Sequence, residues 1–431
     1  APIFTEPNPL QNDATAPPLL PSLPKPSNTM PQNDGKLLMI PGPCEFHEDV
    51  LKVVGEASPS HVAPSFIEEF GATIGMLRDV FLTATGQPFV IAGSGSLGWD
   101  FVAANLVEPG EKVLVCNTGY FSDAWAMCIK AYKGEVVNLQ MPVGAAVCPK
   151  MLEAALKKEK YKVVCLTQVD TSTGVKNDIA TLSAIVKKIQ PDCLVTCDGV
   201  CAFAAEELRF DDWNVDAALT GSQKALGVPP GLMVCIMSQK ALRVVKNRST
   251  PILSYFANAA HWLPIMQAYE ARKPSYFATP AVTLVRGLYV ACKKLLAMGM
   301  PAVFDAHLKT SLAFKEACYS MGLELVATER KHAANTLSAV KFPAGVTKAQ
   351  LLPKITKRGV IVAGGLHKKI KMTYFRVGHM GLSALDPKRQ HMVTVIEAIE
   401  GALIECGKNI EKGKALSVYK AYMGGYLKSS L

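Results

Sequence analysis

Beyond residue 36 the chain alternates short apolar runs with amphipathic stretches, and no other feature narrows its possible folds as much. The apolar runs fall at 89–92, 112–116, 135–139, 163–166, 194–197, 217–219 and 232–237. Between them lie helical patterns, such as Phe66, Phe70, Ile74, Leu77 and Phe81 within 65–82, a helix opening at about Ser96, and stretches near 123–132, 149–160 and 178–190. A strand that returns through a helix lies parallel to its predecessor, and helices then cover both faces of the sheet. The alternation therefore predicts an α/β protein with a mostly parallel, seven-stranded sheet. A long helix near 281–298 ends the series. Strands near 337–342, 359–363 and 373–377, with helices between and after, predict a smaller C-terminal α/β domain. The expected division is a tail at 1–36, a large domain at 37–298 and a small domain at 299–431. Nine of the 28 prolines fall within 1–35, without apolar periodicity, so a disordered or polyproline-like tail is expected there;.

Composition excludes several classes. A chain of 431 residues that is 49% hydrophobic buries an ample core without metals or disulfides;. The uncharged stretches 80–99 and 249–269 do not read as membrane spans, being broken by Gly93, Ser94, Gly95 and Ser96 in one and Asn258, His261 and Pro264 in the other;. A soluble protein is expected. The net charge of +10 comes mainly from lysines scattered over amphipathic helices. That pattern predicts a solvated surface compatible with small anionic substrates, and no nucleic-acid footprint. The 12 cysteines contain no CxxC pair and read as buried reduced thiols of an intracellular protein;. The eight histidines show no HExxH or HxH spacing, so no metal site is expected;. The first arginine is Arg78, which argues against a mitochondrial presequence;. The last residues, Lys428-Ser429-Ser430-Leu431, are a near match to a peroxisomal Ser-Lys-Leu, so peroxisome or cytoplasm is the expected compartment;.

Ligands of open α/β sheets bind at the carboxyl ends of strands, and four such ends carry chemistry. Gly93-Ser94-Gly95-Ser96-Leu97-Gly98 has GxGxxG spacing, but the next strand ends Cys116-Asn117-Thr118, without the acid a dinucleotide ribose requires;. What survives is a helix N-terminus of small residues, suited to a phosphate. Asp198 directly follows an apolar strand, as an acid that holds a protonated ring nitrogen would. Lys224 lies among small residues after another strand; a lysine is costly to bury, and one placed there is a candidate amine nucleophile or Schiff-base former. Arg376 sits inside an aromatic and β-branched strand and must meet an anion, its planar fork suiting a carboxylate. Each has an inert reading too: a turn, a cap, a loop lysine, a structural ion pair. Together they describe pyridoxal phosphate chemistry on amino acids, with Asp198 and Lys224 26 residues apart on two strand ends;.

From Ile40-Pro41-Gly42-Pro43 to about Ile404 the sequence resembles the class V, fold-type I aminotransferases, and within them the alanine–glyoxylate/serine–pyruvate aminotransferase family. The specific blocks are Ser222-Gln223-Lys224, Tyr276-Phe277-Ala278-Thr279-Pro280, Gly364-Gly365-Leu366-His367 and Arg376-Val377-Gly378-His379-Met380-Gly381. The resemblance implies pyridoxal 5′-phosphate as cofactor, with Lys224 as the Schiff-base lysine and general base and Asp198 as the partner of the ring nitrogen. It places Val200 beneath the ring and Ser94, Gly95, Ser96 and Gln223 at the phosphate; many relatives have His where Ser96 stands. Phe121, or Tyr120 beside it, matches an aromatic stacked on the cofactor. Thr173, or Ser172 beside it, matches the loop near the phenolic oxygen. Tyr276 and Thr279 resemble residues that reach the phosphate of a neighbouring subunit, implying a homodimer with shared active sites. Arg376 resembles the clamp for the substrate carboxylate. The implied reaction is L-alanine plus glyoxylate to pyruvate plus glycine, with serine–pyruvate or serine–glyoxylate transfer as the alternative. A cysteine desulfurase fits less well, since Gln223 stands where such enzymes usually carry His. An NAD-dependent oxidoreductase would leave Lys224, Asp198 and Arg376 without a role.

Overall fold

The computed structural model describes residues 32–429; most of the expected tail and the final Ser430-Leu431 of the near-peroxisomal ending lie outside the described residues. The seven apolar runs form one sheet: β1 (Gln87–Ala92), β2 (Lys112–Asn117), β3 (Glu135–Gln140), β4 (Val163–Thr167), β5 (Leu194–Asp198), β6 (Ala217–Gly221) and β7 (Leu232–Met237). Its order is β3-β2-β4-β5-β6-β7-β1, and all strands run parallel except β7, which is antiparallel to both neighbours. The central strands β4 to β7 are buried along their whole length, which is why they read as continuous apolar runs;. Edge strand β3, Glu-Val-Val-Asn-Leu-Gln, is partly exposed and carries polar residues;.

Helices α1 (Pro64–Val80), α2 (Gly95–Leu106) and α3 (Tyr120–Ala131) follow. Helix α2 packs on β6 and β7 and α3 on β2 and β3, so both begin at the carboxyl edge of the sheet. Helix α4 (Val282–Met298) packs on α1 and meets α5 (Met300–Ser320) at 86°, the break falling at Gly299 with φ +81°. Among the described residues no single helix is long and apolar enough to cross a membrane.

Beyond α5 an antiparallel sheet of β8 (Leu337–Lys341), β9 (Ala363–Gly364) and β10 (Tyr374–Gly378) has β10 in the middle. Helices α6 (His391–Glu405) and α7 (Lys414–Ser429) complete this part. Phe314, Phe375, Val395, Ile399 and Tyr419 form its apolar core, separate from the main core that holds Phe66, Phe89, Phe101, Trp125 and Phe203. One expectation is corrected. The run at 359–363 is not one strand: Val360–Ile361 pairs with Leu37–Leu38 and Ala363–Gly364 pairs with β10, so its two halves join different sheets. That pairing places Leu37–Leu38 beside the C-terminal layer, and Met39 belongs to its core. Ahead of Leu37, Gln32–Gly35 forms a short 3-10 turn.

Candidate active site

Because β1, β2, β4, β5 and β6 share one direction, their carboxyl ends gather the residues that follow them. They enclose a cavity of about 120 Å³ that is lined by Ser94, Gly95, Ser96, Phe121, Asp198, Val200, Gln223 and Lys224, all expected from sequence, with Trp99, Val169, Thr171 and Cys201 added.

Asp198 ends β5 and is buried. Its Oδ1 accepts the Val200 N–H at 2.8 Å and its Oδ2 accepts the Trp99 indole N–H at 2.8 Å. Burial pushes its carboxyl up to about 6, against the downward pull of these two donors;. It forms no salt bridge among the described residues, so it is a buried carboxylate with capacity for a cationic N–H.

Lys224 lies three residues beyond β6, half-buried, and its Nζ donates to the Pro41 carbonyl. The chain can approach that closely only because residue 42 is glycine: a Cβ there would lie 2.6 Å from Nζ, and the backbone is at φ +95°;. The loop is fixed from the same segment, with Cys44 N–H donating to Gln223 O at 3.1 Å and Cys44 Sγ to Lys224 O at 3.2 Å.

Ser94 precedes the first turn of α2 in an extended conformation, and its side chain does not cap the helix. The first N–H groups of α2 therefore have no acceptor within the helix and face the cavity with the positive end of its dipole. Gly95 lets this end come close, since a Cβ would meet Val200 Cγ2 at 2.9 Å. Beside it, Gln223 Oε1 is buried without a hydrogen-bond partner. An anion site at the helix end, a carboxylate without an ion-pair partner and an amine, all lining one cavity, match the phosphate, ring N–H and aldehyde of pyridoxal phosphate. The residues present fit that group.

Several expected residues lie elsewhere. Thr173 is not in the lining: its hydroxyl donates to Thr118 O at 3.2 Å, the turn at 170–174 points it away, and Thr171 takes the place at the wall. Ser172 is also turned aside, its hydroxyl donating to Asp170 at 2.6 Å. Arg376, in the middle strand β10, stands behind Thr171 and donates from Nη1 to its carbonyl at 3.3 Å and from Nε to Gly364 O at 2.9 Å. Burial holds its guanidinium below its ordinary value, and no carboxylate pairs with it among the described residues. The structural ion pair that would have made it inert is absent there. Tyr276 and Thr279 are exposed, their hydroxyls 3.4 Å apart, away from the cavity of their own chain. Between Phe121 and Tyr120, it is Phe121 that lines the cavity, with Tyr120 edge-on to it at 5.3 Å.

Sequence reading missed Trp99 and Thr171. Trp99 was legible in principle, because it follows Gly95 by four residues and so shares the face of α2 that opens on the cavity.

The family described as aminotransferase class-V matches residues 79–383. The chain is similar to alanine–glyoxylate aminotransferase 1 of Saccharomyces cerevisiae, 37% identical over 85% of this chain and 97% of the yeast protein. It is also similar to the serine–glyoxylate aminotransferase of Arabidopsis thaliana, 25% identical over 90% of this chain and 95% of that one. Among solved structures, the alanine–glyoxylate aminotransferase of Nostoc sp. superposes with a TM-score of 0.80 at 25% identity, covering 89% of this chain and 97% of that one.

Proposed function

The chain belongs to the class-V aminotransferases, and from that premise we propose that it transfers the amino group of L-alanine to glyoxylate, giving pyruvate and glycine, with pyridoxal 5′-phosphate as cofactor. The carrying observation is that Lys224, Asp198 and the open N-terminus of α2 line one cavity.

When bound, the cofactor supplies an aldehyde that exchanges amines and a cationic ring that accepts the electron pair left at Cα. The protein's own groups do the rest. The first turn of α2, with Ser94, Ser96 and Gln223, holds the phosphate. Asp198 keeps the ring nitrogen protonated through its charge, and the indole of Trp99 keeps that carboxylate turned toward the cavity. Lys224 Nζ would hold the cofactor's aldehyde and, as a free amine, would take the proton from the substrate Cα. Arg376 receives the substrate carboxylate, which fixes which Cα bond faces Lys224. Amino donor and oxo-acid acceptor use the same site in turn, a ping-pong order.

The relatives' names differ in donor, alanine in yeast and serine in Arabidopsis, and agree on glyoxylate. Greater identity to the yeast protein favours alanine; serine–glyoxylate transfer is the second reading. The dimer belongs to the same proposal. Tyr276 and Thr279 are solvent-facing, and next to Tyr276 in the chain Phe277 forms one contiguous aromatic cluster with Tyr255 (76% exposed) and His261. A surface of that kind suits a second copy of this chain. Rates for alanine, serine and aspartate against glyoxylate and pyruvate test the substrate pair: alanine with glyoxylate should be fastest, and a clear preference for serine would favour the second reading. Lys224→Ala should abolish turnover and the yellow absorption band of the loaded protein; a fully active variant would refute the assignment.

A further inference from the structure

We propose that Tyr374 is a positioning residue that sets the orientation of Arg376, a role that rests on the reading of Arg376 as the carboxylate clamp. Tyr374 and Arg376 are two residues apart on β10 and so project from the same face of the sheet;. Both reach the same two segments. Arg376 donates to Gly364 O on one side and Thr171 O on the other. The fully buried Tyr374 hydroxyl accepts the Leu366 N–H and the His367 N–H, each at 2.9 Å, and donates to Ser172 O. A phenol has one donor and two acceptor sites, so this hydroxyl is completely used.

The consequence is geometric. The carbonyls that aim the guanidinium belong to Gly364, the last residue of β9, and to Thr171, and the Tyr374 hydroxyl is the bolt between the segments that follow them, 365–367 and 172. A carboxylate is recognised by a planar fork only when the fork is fixed in rotation. Removing the hydroxyl leaves two N–H groups and a carbonyl unsatisfied and frees the loops to separate, while Lys224, Asp198 and α2 keep their own anchors. The effect should therefore fall on ligands with a carboxylate and spare those without one.

Two ligands separate these outcomes in the loaded enzyme, followed by the shift of its absorption band. The first, 2-methylalanine, carries a carboxylate but has no Cα proton to lose; the second, ethylamine, has no carboxylate. Tyr374→Phe should weaken 2-methylalanine about tenfold and ethylamine less than about twofold, the scale of one lost hydrogen bond to a charged site. KM for both alanine and glyoxylate should rise by a similar factor, with kcat within about threefold. Equal weakening of both ligands, or of neither, would overturn the proposal. If Tyr374→Phe fails to fold, Gly365→Ala replaces it: its methyl would lie 2.7 Å from Tyr374 Cε1 and displace the same loop, with the same selective loss expected. A wild-type enzyme that takes up the cofactor but does not prefer 2-methylalanine over ethylamine would instead sink the clamp reading of Arg376 itself.

Discussion

Asp198 is held between opposing influences that can be separated one residue at a time. Burial raises its carboxyl to about 6, and the N–H groups of Val200 and Trp99 lower it. Because the folded value lies above that of an unfolded aspartate, protonation of this group favours the folded apoprotein. That contribution is complete below about pH 4 and is lost as pH rises through about 6. Cofactor binding has the opposite requirement, since only the carboxylate can pair with a protonated ring nitrogen. Affinity of the apoprotein for pyridoxal phosphate should therefore decline as pH falls through about 6. Trp99→Phe removes one of the donors that lower the carboxyl, so the midpoint of that decline should move to higher pH. Titrating apoprotein with cofactor by absorbance across pH 5–8 measures it; an unchanged or lower midpoint in the variant would contradict the role given to the indole.

Helix α2 serves the site only because it lies unusually close to the sheet. At Gly98 a Cβ would stand 2.9 Å from both Cβ and Cδ1 of Leu219 in β6, and at Gly95 one would strike Val200. The two glycines, one turn apart, seat the helix against the middle of β6 and against the loop just beyond β5. Gly98→Ala must lift α2 off β6, and overpacking of this kind costs about 1–3 kcal/mol. The variant should melt earlier than wild type and bind cofactor more weakly, as its N-terminus moves from the phosphate; calorimetry and cofactor titration read the two effects separately. The same geometry explains what the sequence discloses. Most strands of the large sheet were legible because buried strands are continuous apolar runs, and Lys224 and Asp198 stood out because charged residues at the ends of such strands are costly without a purpose. Trp99 was not, since an indole in an apolar helix looks like core until its N–H is seen on a carboxylate. The sequence pointed to Thr173 or Ser172 rather than Thr171, because the turn closed by the hydrogen bonds from Thr173 and Gly174 to Asp170 O decides which residue faces the cavity. The run at 359–363 was misread because local pattern does not encode that its halves pair with different partners.

Across the whole molecule the proposed site, with Arg376 as its carboxylate clamp, would draw on separate parts of the structure. Lys224, Asp198 and α2 belong to the large sheet, while Arg376 comes from β10 of the small one. The proposed dimer adds a third source, because Tyr276 (63% exposed) and Thr279 have no place in the cavity of their own chain. If they complete a neighbour's phosphate site, every site is built from Lys224 of one subunit and Tyr276 of the other. Subunits carrying Lys224→Ala are then inactive for one reason, and subunits carrying Tyr276→Ala with Thr279→Ala are impaired for another. In a mixed dimer one site inherits both defects and the other inherits neither. Unfolding, mixing and refolding equal amounts should thus recover about a quarter of wild-type activity, since half the dimers are mixed and half their sites intact. Were Tyr276 and Thr279 to act within their own chain, or the enzyme to work as a monomer, the mixture would show only the average of its two parents. The recovered fraction also reads the assembly directly, because it requires subunits to pair with Tyr276 and Thr279 of each reaching the other's site.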